Sequence, residues 1–144
     1  MRYLPFNDAA VFDFGTGTGI LAILAEKLGA SQVLAADNDD WCIENATENV
    51  ERNACKKIEI VKADFPPAGE YDIVLANINK NIILDNFTKL SALVPLNCLL
   101  LLSGLLVADE LQILMEAAKF GFKKTEILER NGWIAMTLEK ETAN

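Results

Sequence analysis

The stretch Val11-Phe12-Asp13-Phe14-Gly15-Thr16-Gly17-Thr18-Gly19-Ile20 passes from an apolar run into three glycines set one residue apart, and helical apolar spacing begins as the glycines end. This pattern predicts a buried strand that breaks into a glycine loop opening a helix. The next apolar run ends on Asp37, 22 residues after Gly15. Together these features predict a cradle for a nucleotide-like cofactor at the carboxyl edge of a parallel sheet. Glycine lets the backbone turn sharply and approach a ligand with no side chain between them. A carboxylate at position 37 can accept hydrogen bonds from two ribose hydroxyls.

Two details favour S-adenosylmethionine over a dinucleotide. The glycines fall as G-x-G-x-G, whereas a pyrophosphate fingerprint needs G-x-G-x-x-G, its third glycine tightening helix against strand. Asp13, two residues before Gly15, would place a carboxylate near the head of the ligand, where it suits an ammonium group and repels a pyrophosphate. The same two details count against an NAD-dependent oxidoreductase.

The chain has 144 residues, 51% of them hydrophobic, enough for one domain with one continuous core. The first six residues hold no apolar run long enough for a signal peptide. The longest apolar stretch, Cys98 to Ala108, is interrupted by Ser103 and Gly104. It is well short of the ~20 residues of a spanning helix, and it reads as a strand buried on both faces followed by a turn. Three cysteines without close spacing argue against a disulfide framework and point to the cytoplasm. There is no histidine and no metal-ligand spacing, so a zinc centre and histidine-based catalysis are set aside. A formal charge of −8 without a basic cluster disfavours direct nucleic-acid binding and would attract a basic protein.

Short apolar runs alternate with amphipathic stretches, which predicts an α/β fold with a mostly parallel sheet and helices on both faces. Strands are expected at Ala10 to Phe14, Gln32 to Asp37, Ile58 to Val61, Tyr71 to Ala76 and Leu99 to Ser103. Between them lie helices at Gly19 to Leu28, with Ile20, Leu21, Leu24 and Leu28 on one side, and at Asp40 to about Asn53, capped by Asp39. Two more helices follow, one at about Asn81 to Leu93 and one at Ala108 to Phe120. Phe122 to Glu129 and Trp133 to Glu139 flank Asn131-Gly132, a hairpin signal, so an antiparallel pair ends the sheet. Trp133 is expected to pack within that hairpin, while Trp41 could flank an adenine.

Asp13, Gly15, Thr16, Gly17, Asp37, Asn38, Asp64, Phe65 and Asn77 fall at the carboxyl ends of the first four expected strands or in the loops that leave them. Open α/β sheets bind ligands along that rim. Asp64 and the Phe65 backbone are placed to meet the amine and ring edge of an adenine. Asn77 is the candidate catalytic residue, since its carbonyl can hold the N–H groups of an acceptor amine without adding full negative charge. A carboxylate there would stabilise the unreactive ammonium. Asn79 and Asn81 are both candidate caps for the helix that follows.

On these residues the chain resembles the catalytic domain of the bacterial methyltransferases that modify large-subunit ribosomal protein eleven. The motifs are D-F-G-T-G-T-G-I-L-A-I-L-A from Asp13, A-D-N-D from Ala36, E-N-x-E-R-N from Glu48, D-I-V-L-A-N-I from Asp72, L-S-G from Leu102 and W-I-A from Trp133. The resemblance implies a Rossmann-like class I methyltransferase sheet and S-adenosylmethionine as methyl donor to lysine and amino-terminal amines of a basic ribosomal protein. By position it implies Gly15, Asp37 and Asn77 as cofactor contacts, with Asn77 also beside the acceptor amine. Asn38 stands where the family usually places an apolar residue beneath the adenine. The resemblance also implies that residues 1–144 form the methyltransferase domain alone, without the family's amino-terminal recognition domain. A methyltransferase for a small molecule or nucleic acid, and a non-catalytic nucleoside-binding module, are the alternative readings.

Overall fold

The computed structural model describes residues 4–142. Seven strands form one sheet in the order β3-β2-β1-β4-β5-β7-β6. They are β1 (Ala10–Phe14), β2 (Gln32–Asp37), β3 (Ile58–Lys62), β4 (Ile73–Asn77), β5 (Leu99–Leu106), β6 (Phe122–Arg130) and β7 (Trp133–Lys140). β1 to β5 are parallel, and β7 runs antiparallel between β5 and β6. The chain reverses its strand order beside β1, so the glycine loop leaves the sheet where the crossovers part to either side.

Side chains along the central strands alternate between two cores, as the two-residue period of a strand requires. Phe12, Phe14, Val74, Ala76, Leu100 and Leu102 enter the larger core, which is covered by α3 (Lys80–Asp85), α4 (Phe87–Ala92) and α5 (Glu110–Lys119). Phe87 anchors it, with ring centroids 5.4 Å from Phe120 and 6.0 Å from Phe122. Val11, Val33, Ala35, Ile73 and Leu75 enter the smaller core, together with Ala22 and Ala25 of α1 (Ile20–Lys27). α2 (Asp40–Arg52) starts on the expected cap, the Asp39 carboxylate accepting the N–H of Trp41 at 2.8 Å.

Four expectations change. First, α1 buries its alanines, while Ile20 and Leu24 are exposed. Small side chains let this helix sit close to the sheet and to α2, where a Cβ on Gly19 would already be 3.3 Å from that of Ala46. Second, the helix expected from Asn81 to Leu93 is two short helices. The break falls at Asn86, whose φ of −109° and ψ of 8° leave the helical region, although Ile83, Phe87, Leu90 and Val94 still line one buried face. Third, β5 continues through an irregularity between Leu102 and Leu105 to reach Leu106, and a 3₁₀ turn at Val107–Asp109 precedes α5. It is buried on one face only, since Leu99, Leu101 and Ser103 are half-covered. Fourth, Trp133 is 55% exposed instead of packed in the hairpin. The turn itself is as expected, with φ of 53° at Asn131 and 84° at Gly132.

Candidate functional site

The glycine loop is held by β2. The N–H groups of Gly15 and Thr16 both donate to the Ala36 carbonyl at 2.9 Å, and that of Gly17 donates to Asp37 Oδ2 at 2.9 Å. The other Asp37 oxygen accepts the N–H of Asp39 at 3.1 Å. Each oxygen of an ionised carboxylate offers two acceptor sites, so Asp37 keeps one on each for a ligand. Three loop N–H groups are already engaged by the protein. A loop of this kind is poorly suited to wrap a pyrophosphate, which needs free N–H donors.

Gly15 must be glycine on two counts: its φ is +76°, and a Cβ would lie 2.5 Å from Ile78 Cγ2. This close approach brings the residue after β4 against the loop after β1. Gly17, at φ +58°, has nothing within 4 Å of where its Cβ would point, so the loop opens there onto space.

Asp13 lies beneath the loop and is 1% exposed. Its Oδ2 accepts the Thr16 hydroxyl at 2.7 Å, and its buried Oδ1 has no partner. Burial raises its pKa from 3.8 to about 6, against the lowering effect of the Thr16 bond and with a further push from the Asp37 charge. A buried carboxylate oxygen without a donor is costly, and a ligand cation would satisfy it.

Gly15, Asp37, Asn38 and Asp64 share one cavity of about 130 Å³ with Phe14, Ala63, Ile78 and Ile82. Four expected site residues thus meet around a mostly apolar slot. Asp13, Thr16 and Gly17 do not line it. The Phe65 side chain is turned away, its ring 5.1 Å from Lys89 Nζ. Asn77 is exposed at the end of β4, on the Gly104 side. Asn79, not Asn81, caps α3, accepting the Ile82 N–H at 3.0 Å. Trp41 is 66% exposed and does not line the slot. Sequence reasoning passed over Ile82, which stands beside the buried Ile83 on α3 and is itself 41% exposed at the slot, a placement that no local pattern marks. A larger hollow of about 510 Å³ at the opposite edge of β2 and β3 includes exposed Lys56, Lys57 and Glu59, and none of the loop residues.

The acceptor sites left on Asp37, the orphaned oxygen of Asp13, the open face of Gly17 and the apolar slot fit a cationic nucleoside. The sheet order, the antiparallel last strand and the glycine loop at the carboxyl rim define a Rossmann-like class I methyltransferase fold. The family model described as ribosomal protein L11 methyltransferase (PrmA) matches residues 4–141, and the chain belongs to that family. A ribosomal protein L11 methyltransferase from Porphyromonas gingivalis is 44% identical over 133 residues, covering 88% of this chain and 44% of that protein. One from Chlorobaculum tepidum is 39% identical, covering 96% of this chain and 50% of its own length. The crystal structure of a ribosomal protein L11 methylase from Lactobacillus delbrueckii subsp. bulgaricus superposes with a TM-score of 0.91 at 30% identity, covering 98% of this chain and 74% of that one. The chain spans about half the length of the curated relatives it matches. Family and fold together imply S-adenosylmethionine as the cofactor.

Proposed function

We propose that this chain is a protein N-methyltransferase domain that moves methyl groups from S-adenosylmethionine to amine nitrogens of a basic ribosomal protein in the cytoplasm. The observation that carries the reading is a carboxylate, Asp37, held against the loop at Gly17 at the end of β2, on the same carboxyl rim as an exposed asparagine at the end of β4. When bound, S-adenosylmethionine supplies a methyl group activated by its sulfonium, which passes to the nitrogen lone pair as the carbon–sulfur bond breaks, leaving S-adenosylhomocysteine and a methylated amine that sheds a proton to water.

Asp37 accepts the sugar hydroxyls through its remaining acceptor sites. Asp13 meets the ammonium of the amino-acid tail, ionising fully in doing so, because a nearby cation favours the charged form. Gly15, Thr16 and Gly17 shape the loop around that tail. Asn38, Asp64 and the Phe65 backbone border the base, with Ile78 and Ile82 forming its apolar walls. Asn77 is the residue assigned to the acceptor: its side-chain carbonyl accepts an N–H of the neutral amine and so points the lone pair outward. A lysine with a pKa near ~10.4 is almost wholly protonated at neutral pH, and a neutral amide avoids deepening that. The chain's net charge of −8 suits a basic protein partner.

Calorimetry with S-adenosylhomocysteine and with NADH tests the cofactor, and heat with NADH alone would overturn the reading. Labelled cofactor incubated with purified ribosomal proteins tests transfer. Asn77→Ala is expected to keep cofactor affinity within about threefold and to lower turnover at least ~100-fold, the scale of a lost transition-state hydrogen bond. Unchanged turnover would make Asn77 a purely structural residue.

A further inference from the structure

Two segments leave the sheet side by side at Asn77, which pairs with Ser103 between β4 and β5. The first runs from Asn77 through Ile78 and the cap residue Asn79 into Lys80, the first residue of α3. The second passes Gly104, ends β5 on Leu106, and reaches Asp109 at the start of α5 through the 3₁₀ turn. They meet at Gly104. A Cβ there would lie 2.6 Å from Asn77 Oδ1 and 3.5 Å from both the main-chain N and O of Ile78, so the Asn77 amide and the residue after it press on the main chain of β5.

One carboxylate holds both segments. Asp109 Oδ2 accepts the N–H of Leu106 at 2.9 Å and fixes the end of β5. Its Oδ1 lies 3.7 Å from Lys80 Nζ, across the gap on the first turn of α3. Only 17% of the Asp109 side chain and 31% of that of Lys80 are exposed, so water and salt screen this pair less than a surface pair. On the other side, the Val107 N–H donates to the Gly132 carbonyl at 3.1 Å and anchors the same turn to the final hairpin.

Local rules do not explain the lysine. The first turn of a helix carries the positive end of its dipole, which favours acidic side chains and disfavours basic ones. α3 has no acidic residue in its first turn and starts on Lys80 instead. A charge set against local preference points to a partner elsewhere in the fold, and Asp109 is that partner.

Methyl transfer needs the acceptor nitrogen held in line, and a misplacement of ~1 Å in the groups that aim it can cost about 100-fold in rate. Building on the assignment of Asn77 to the acceptor, we propose that Lys80 and Asp109 are positioning residues: their contact clasps the ends of β4 and β5 together and so fixes where the Asn77 amide points. Neither acts on the reacting atoms itself. Without the clasp, the end of β5 stays anchored to the hairpin while the start of α3 drifts, and the amide drifts with it.

The test compares the whole chain with Lys80→Met and Asp109→Asn. The first removes the charge and keeps the stem, and the second keeps an acceptor for the Leu106 N–H and loses the charge. Both should melt within about 3 °C of the parent and keep the dissociation constant for S-adenosylhomocysteine within about threefold. With labelled cofactor and purified ribosomal proteins, each is expected to lower kcat about tenfold while the acceptor KM changes less than about threefold. The double variant should be no slower than either single one, and Lys80→Arg should recover most of the loss. A second readout needs no turnover: the side-chain NH₂ resonances of Asn77, identified by their absence in Asn77→Ala, are followed with S-adenosylhomocysteine bound. Their order parameter should fall in Lys80→Met and Asp109→Asn and be kept in Lys80→Arg. Unchanged resonances, unchanged kcat, or losses that add in the double variant would each overturn the clasp alone. The reading beneath it fails differently: full turnover in Asn77→Ala would detach the amide from the acceptor and take the clasp with it, and a parent that gives no heat with S-adenosylhomocysteine would sink the methyltransferase reading.

Discussion

A Cβ on Gly104 would lie 2.6 Å from Asn77 Oδ1, so the irregular turn of β5 leaves the space into which the asparagine amide reaches. Gly104 also has φ +76°, a conformation that costs an L side chain about 1–2 kcal/mol. Gly104→Ala is therefore expected to destabilise the chain by about that amount and to displace the Asn77 amide, the movable partner in the clash. Turnover should fall at least tenfold while the dissociation constant for S-adenosylhomocysteine changes less than threefold. Urea denaturation, calorimetry and methyl transfer measured on one preparation check all three, and unchanged turnover would separate Asn77 from the chemistry.

Asp37 holds the fold with both of its oxygens, and the proposed function gives the same two to the ligand. Its side chain accepts the N–H groups of Gly17 and Asp39. Asp37→Ala leaves both donors without their partner, at a cost of about 1–3 kcal/mol where water cannot replace it. It also removes the acceptors for the sugar hydroxyls. The expected outcome is a cofactor dissociation constant raised at least ~100-fold together with a lower melting temperature. Asp37→Asn should fall between the two, because one amide oxygen can still accept from Gly17. Calorimetry of the three proteins side by side gives the order.

The parts of this architecture that were legible in the sequence are those set by backbone chemistry. Gly15 permits the positive φ of the loop, Asp39 caps α2, and Asn131-Gly132 turns the final hairpin, each through a local preference that tertiary packing did not overrule. The less legible parts depend on which neighbour a side chain meets. The leucines and isoleucine of α1 announce an apolar face, yet Ala22 and Ala25 are buried because the helix lies too close to the sheet for larger groups. The apolar run of β5 looks the same whether one face or two are covered, so the open side at Leu101 and Ser103 could not be read from it. Trp133 was misplaced for the same reason: an aromatic beside a tight turn suits a packed hairpin and an open rim equally well. Within the site, Asp37 and Gly15 announced themselves by spacing, whereas Ile78 and Ile82 line the slot only because β4 ends against the glycine loop.

Asp13 is expected to make stability and binding depend on pH in opposite senses. Its folded-state pKa, about 6, lies above the ordinary 3.8 of an unfolded carboxyl, so the folded chain holds this proton more tightly. The contribution to stability is complete below about pH 3.8, declines as pH rises towards about 6, and is lost above that. About two pKa units correspond to about 3 kcal/mol at most. Asp13→Asn keeps the shape, keeps an acceptor for Thr16 and cannot ionise. It is therefore expected to match the parent in stability at pH 4 and to exceed it at pH 8, as urea titrations at the two pH values would show. Binding runs the other way, since the ammonium of the ligand needs the ionised form. The affinity of the parent for S-adenosylhomocysteine should rise between pH 5 and pH 7, and the variant should show no such rise. A parallel pH profile in both proteins would remove Asp13 from the ligand.

The contact between Gly15 and Ile78 joins the loop after β1 to the residue after β4, and a double-mutant cycle can measure it. Gly15→Ala meets Ile78 Cγ2 at 2.5 Å and adopts φ +76°, so overpacking and backbone strain together are expected to cost about 2–4 kcal/mol. Ile78→Ala removes the clashing atom and by itself loses apolar wall from the slot. If the steric account is correct, the two changes are not additive. In the presence of Ile78→Ala, the cost of Gly15→Ala should shrink by about 1 kcal/mol or more, leaving chiefly the strain of the positive φ. Cofactor affinity should not recover in the double variant, because the wall stays missing. Additive losses of stability would mean that the loop and the end of β4 do not press on one another, and that Gly15 is required for its backbone alone.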